Sequence, residues 1–155
     1  MLSTRHLVFV YGTLTDAERV RTVLSSDREP SNPEFAFTAR ATLEGLRRVE
    51  GEYPTLAPGG ATDGRLLAVD SEGVAALDAY EGVDSGLYVR VAIPFADHPQ
   101  RIETELGTTP EAAAWTYVGD PARLGADVDW PGEGTFVERV RGFVDRESVV
   151  IDPSA

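Results

Sequence analysis

Residues 64–95, GRLLAVDSEGVAALDAYEGVDSGLYVRVAIPF, read as strand, helix, strand. Gly64 to Asp70 is an apolar run bounded by turn-forming residues, as expected of a strand. Ser71 to Tyr80 follows at helical spacing, with Asp70 or Ser71 available as the N-cap. Leu87 to Phe95 alternates like a half-buried strand. Val74, Leu77 and Glu81 are separated by three and then four residues and share one helix face. Glu72 falls about half a turn away and is expected to face solvent. A carboxylate in register with a buried stripe loses hydration, which raises its pKa and fits it for proton transfer near neutral pH. Two other readings of Glu81 stand beside this one. The helix could have ended by Glu81, since Gly82 follows, leaving the carboxylate in water; or Glu81 could pair with an arginine, Arg90 being the nearest downstream.

Working outward, His6 to Tyr11 (HLVFVY) is a β-rich run ended by Gly12 and reads as a buried first strand. Asp16 to Ser25 places Val20, Val23 and Leu24 on one face of a short helix, with Asp16 near its start. Phe35 to Val49 holds one or two strands, and Glu52 to Asp63 (EYPTLAPGGATD) reads as a turn-rich connection. Asp97 to Glu111 is a long polar connection, and Ala112 to Val118 a further strand. Phe136, Val137, Val140, Phe143 and Val144 recur at helical spacing, so a last helix is expected near 134–145, followed by a final strand at Val149 to Ile151. Strands outnumber helices and often follow one another directly. That pattern favours an α+β domain spanning 1–155, with a mixed, mostly antiparallel and barrel-like sheet.

Composition narrows the chemistry. The 155 residues include 26 acidic and 14 basic side chains, a net charge of −12, with no cysteine. All the basic residues are arginine, which excludes Schiff-base chemistry and a lysine-bearing phosphate loop. Nucleic acid and anionic membranes would be repelled. The acid excess reads as a solvated surface, and a high-salt cytoplasm would account for it. No apolar run is long enough to span a bilayer, and Met1 to His6 lacks the pattern of a signal peptide, so a cytoplasmic location is expected. His6 and His98 have no metal-ligand spacing and the carboxylates form no calcium-loop pattern, so neither metal nor cofactor is expected.

Tyr11-Gly12-Thr13-Leu14 is a sharp turn between a strand and a helix. Its N–H groups are suited to hold an anion or a developing oxyanion, although a plain tight turn has the same pattern. Gly12 permits both a tight turn and close approach of a ligand. Thr13 is a poor nucleophile candidate because no partner base is identifiable.

Together these segments resemble the γ-glutamylcyclotransferase-like, or AIG2-like, family. Tyr11-Gly12-Thr13-Leu14 resembles its YGTL signature, and Tyr53-Pro54 a Y-P element before the central strand. Gly64-Arg65-Leu66-Leu67, Leu77-Asp78-Ala79-Tyr80-Glu81-Gly82 and Leu87-Tyr88-Val89-Arg90 resemble, in order, its G-x-hydrophobic, L-D-x-x-E-G and Y-x-R elements. Ala114-Trp115-Thr116-Tyr117 resembles a later A-x-x-Y strand. The resemblance covers about residues 6 to 118. It implies a small mixed β-barrel flanked by helices, with a cavity between the YGTL turn and a catalytic glutamate, here Glu81. It also implies a small γ-glutamyl substrate, cyclised to 5-oxoproline with release of an amine or amino acid. Tyr11, Gly12, Thr13, Leu14, Tyr88 and Tyr117 are then the expected substrate-binding residues, each tyrosine being equally readable as a core residue with a satisfied hydroxyl. Arg90 is expected to tie strands or orient a carboxylate. Removal of a γ-glutamyl protecting group in biosynthesis, or metabolite binding without catalysis, are the alternatives. Thr15-Asp16 departs from the basic or small residues of many relatives and is expected to disfavour an anionic substrate tail. Trp130-Pro131-Gly132 reads as a packed loop or a lid. The oligomeric state is left open.

Overall fold

The strand His6–Val10 (β1) is apolar at every position after His6, and the architecture shows why: both of its faces are buried. In the computed structural model, which describes residues 6–12, 15–25, 35–51, 53–95, 113–147 and 149–153, β1 lies near the middle of a six-stranded sheet. The others are Phe35–Val49 (β2), Thr55–Val69 (β3), Tyr88–Pro94 (β4), Ala113–Gly119 (β5) and Val150–Pro153 (β6), in the spatial order β4-β5-β1-β3-β2-β6. The pairing of β1 with β5 is parallel; the other pairings between neighbours are antiparallel. A parallel bridge between Phe95 and Ile151 brings the two outer strands together, so the sheet curls into a half-barrel.

Side chains alternate across this sheet. Leu7, Phe9, Tyr11, Leu66 and Ala68 face one core, which the helix Phe136–Arg146 (α4) closes with Val140 and Val144. Val8, Val10, Leu67 and Val69 face the other, closed by the helices Ala17–Ser25 (α1) and Ser71–Glu81 (α2) through Val20, Leu24, Val74 and Leu77. A period-two pattern with apolar residues on both phases therefore builds two layers from one strand. Gly64 sits where β3 crosses β1. A Cβ there would come within 2.3 Å of the Val10 carbonyl oxygen and 2.6 Å of Cζ of Phe9, so only glycine allows the approach.

One expectation needs correction. The segment 52–63 is not a connection: β3 starts at Thr55 and runs through Pro58, Gly59 and Gly60, paired with β2 in one long hairpin. Gly45 on β2 stands opposite the Gly59-Gly60 pair, with pairing resumed at Leu46 and Pro58, so the glycines serve a β-bulge rather than a chain reversal. Phe35 to Val49 is accordingly one strand. Beyond residue 119, a short helix Pro121–Leu124 (α3), capped by Asp120, was not anticipated. The long connection 97–111 lies outside the described residues. Trp130 is a packed loop residue: only 4% exposed, it meets Phe136 and Phe143 edge-on. Among the described residues, no helix is long and apolar enough to cross a membrane.

Candidate functional site

A cavity of about 440 Å³ opens where several elements end together. Phe9, Val10, Tyr11 and Gly12 reach it from the end of β1, Tyr80 and Glu81 from the end of α2, and Leu87 and Tyr88 from the start of β4. Tyr117 on β5, Tyr53 and Pro54 at the β2–β3 tip, and Arg19 on α1 complete the described lining.

Glu81 arrives there through the termination of α2. The helix starts at Asp70, whose side chain accepts from the Gly73 N–H at 2.7 Å. It ends at Gly82, which adopts φ 72° and returns its N–H to the carbonyls of Asp78 and Ala79. A side chain at 82 would be strained by that φ and would press on Cβ of Leu87 at 3.2 Å. The last helical residue is therefore Glu81, one turn beyond buried Leu77, and its carboxylate lines the cavity. Loss of hydration raises its pKa from the ordinary 4.5 to about 7. The negative end of the α2 dipole acts in the same direction.

Asp78, three residues earlier, has a different environment. Its carboxylate accepts a hydrogen bond from the Tyr117 hydroxyl at 2.8 Å and pairs with Arg90 at 3.2 Å. Arg90 in turn lies over the Trp115 ring, 4.4 Å from its centroid. Arg90 thus orients a carboxylate, and that carboxylate is Asp78 rather than Glu81. The clamp ties α2 to β4 and β5 and so fixes the helix end that carries Glu81. Sequence reasoning missed Asp78, although it lies inside the L-D-x-x-E-G element.

The three expected tyrosines all border the cavity, with their hydroxyl protons already committed. Tyr11 donates to the Tyr117 carbonyl and Tyr88 to the Pro54 carbonyl, each at 2.6 Å, while Tyr117 donates to Asp78. Burial pushes all three phenols well above their ordinary pKa, and the Glu81 charge nearby adds to each shift. They remain neutral, and toward a ligand each offers an oxygen lone pair and a ring face rather than a proton. The tip bearing Tyr53 and Pro54 is fixed by Thr55, whose hydroxyl donates to the Gly119 carbonyl and accepts from the Gly119 N–H.

At the turn after β1, the Gly12 carbonyl accepts from both the N–H and the hydroxyl of Thr15, at 3.1 and 2.7 Å. Gly12 is not in the left-handed region, and a Cβ there would only touch Pro54 at 3.6 Å. Its lack of a side chain keeps space open in the cavity; the turn itself does not demand glycine. Thr13 and Leu14 lie outside the described residues. Asp16 is exposed, and its side chain accepts from the Glu18 N–H at the start of α1; it is not among the residues lining the cavity. Among the described residues, no group of three or more His, Asp or Glu side chains gathers as a metal would require.

The chain has recognisable relatives among known proteins. A family model described as "Gamma-glutamyl cyclotransferase, AIG2-like" matches residues 8–133. A protein of Arabidopsis thaliana solved in solution is 31% identical, with a TM-score of 0.52 over 87% of this chain and 80% of that one. A structure named gamma-glutamyl cyclotransferase is 15% identical, with a TM-score of 0.54 over 92% and 99% of the two chains. An AIG2-like protein of Mus musculus is 21% identical, with a TM-score of 0.53 over 84% and 89%. The last two likenesses speak for the fold alone. No match is found among curated proteins.

Proposed function

The chain belongs to the gamma-glutamyl cyclotransferase, AIG2-like family, and from that premise we propose that it cyclises a γ-glutamyl group to 5-oxoproline with Glu81 as general acid and base. One observation carries the reading: within the cavity, Glu81 has a pKa of about 7, where a carboxylate can both take and return a proton.

The substrate's α-ammonium gives one proton to Glu81, which frees the nitrogen lone pair. That nitrogen attacks the γ-carbonyl carbon, forming the ring C–N bond. As the C–N bond to the leaving group breaks, Glu81 returns its proton to the departing nitrogen. The ring nitrogen loses a second proton and the released amine gains one, so the reaction is an isomeric split that consumes no water. No covalent enzyme intermediate is required, in keeping with a chain that has neither cysteine nor lysine. The main-chain N–H of Gly12, at the cavity wall, holds the oxyanion or the substrate α-carboxylate. The rings of Tyr11, Tyr88 and Tyr117 confine the glutamyl chain to a ring-closing conformer, which supplies the proximity contribution.

The test is release of 5-oxoproline from a panel of γ-glutamyl amino acids and amines, with Glu81→Gln as control. The wild type is expected to turn over at least one compound, and the variant to lose roughly 10²–10⁴-fold in kcat, the usual contribution of a positioned acid–base group. Undiminished activity in Glu81→Gln would remove the residue from the mechanism. A folded wild type that turns over nothing would favour metabolite binding without catalysis.

A further inference from the structure

The cavity has an inner and an outer end. Phe9, Val10, Tyr11 and Tyr117 are buried or nearly so, whereas Tyr53 and Tyr80 are 57% and 42% exposed and Arg19 is exposed too. Arg19 is the one cationic side chain among the described lining residues. Other arginines have assigned tasks: Arg48 and Arg65 donate to the carbonyls of Tyr11 and Thr15, Arg90 pairs with Asp78, and Arg123 donates to the Ser85 carbonyl. Arg19 makes no ion pair and no hydrogen bond with another described residue. It stands four residues before buried Val23 on α1, so its stem can lie along the helix's apolar flank while the guanidinium stays at the cavity mouth.

We propose that Arg19 binds a carboxylate on the leaving group, so that the preferred substrates are γ-glutamyl amino acids rather than γ-glutamylamines. This rests on the cyclotransferase reading. Ring closure needs the α-amine and γ-carbonyl beside Glu81, at the inner end. The bond that breaks points the leaving amine away from the forming ring, toward the mouth. Its carboxylate cannot use the hydroxyl protons of Tyr11, Tyr88 or Tyr117, which are donated within the protein. Glu81 repels it when ionised, and the net charge of −12 repels it at longer range. Arg19 supplies the opposing charge and a fork that fits a carboxylate in bidentate fashion. The exposed rings of Tyr53 and Tyr80 flank the same mouth and offer apolar surface to the amino-acid side chain.

A matched pair of compounds tests the charge alone: γ-glutamylalanine and γ-glutamylethylamide, which differ by one carboxylate on the leaving group. For the wild type, kcat/KM is expected to favour γ-glutamylalanine by roughly fivefold to tenfold, the scale of a charge-assisted bond at a partly exposed rim. In Arg19→Gln the ratio falls towards one, and Arg19→Lys restores part of it. A ratio that persists in Arg19→Gln overturns the proposal, as does a loss shared equally by both compounds, which would put Arg19 on the glutamyl end. Calorimetric binding of both compounds to Glu81→Gln separates the two readings. Binding that discriminates through Arg19, without 5-oxoproline from the wild type, sinks the cyclotransferase reading and keeps the carboxylate site. Turnover of both compounds without discrimination sinks only the carboxylate site, and neither binding nor turnover sinks both.

Discussion

Asp78 and Glu81 lie one turn apart on the same helix, and their surroundings divide the work between them. Asp78 faces β4 and β5, where an arginine and a phenol hold its two oxygens. Glu81 faces the cavity, where removal of water is the cause of its shifted pKa. The first carboxylate is fixed in position by partners. The second is left able to change charge at neutral pH because desolvation is not offset by a comparable partner. A carboxylate able to change charge at neutral pH thus depends on which partners its helix neighbours take as well as on its own side chain.

The comparison can be challenged most strongly through pH. If ionised Glu81 is the base, kcat/KM on a turned-over γ-glutamyl compound falls about tenfold per pH unit below an apparent pKa near 7. A rate that stays flat from pH 7.5 to pH 5 would separate Glu81 from the proton transfer. Next in size is a stability effect. The folded pKa of about 7 exceeds the ordinary 4.5, so between these values the folded state binds more protons than the unfolded one. Stability from this group is full below pH 4.5 and is lost as pH rises through 7. Glu81→Gln removes that loss, and its unfolding free energy should exceed that of the wild type at pH 8 by at most about 3 kcal/mol. The difference should vanish by pH 4.5; an equal gain at both pH values would point to packing instead.

The smallest effect belongs to the clamp. Asp78→Asn keeps the shape but leaves Arg90 without its charge partner, and denaturant unfolding should register a loss of about 1–2 kcal/mol for a pair that is about three-quarters buried. The acidic limb of the rate profile should keep its midpoint near 7, since Asp78 is not a cause of the Glu81 shift. A midpoint that moves would mean the two carboxylates titrate together.

Much of this was legible in the sequence because strong periods carry it. β1, α2 and α4 follow from apolar spacing, and Glu81 from its register with Val74 and Leu77. The β2–β3 hairpin was not fully legible: Pro58 and Gly59-Gly60 punctuate the sequence like a turn, and only their partner across the sheet, Gly45, reveals a bulge. α3 is too short to show a period. The Asp78–Arg90–Tyr117 clamp joins three elements, and no spacing within one of them announces it. Arg19 reads as an ordinary solvated helix charge, and only the packing of α1 beside the strand ends brings it to the cavity. Tyr53 lies in the Y-P element, which marks the segment but not its place at the cavity.

The meeting of Phe95 with Ile151 has a consequence for life in a crowded solution. An open sheet presents a row of unpaired N–H and carbonyl groups on each outer strand, a template onto which another chain can add. Here β6 has only four residues, β4 ends at Pro94 and β6 at Pro153, and the curl turns one outer strand toward the other. Proline withholds a donor at each strand end. The same curl that gathers the strand ends around the cavity thus turns the outer strands β4 and β6 toward each other at Phe95 and Ile151.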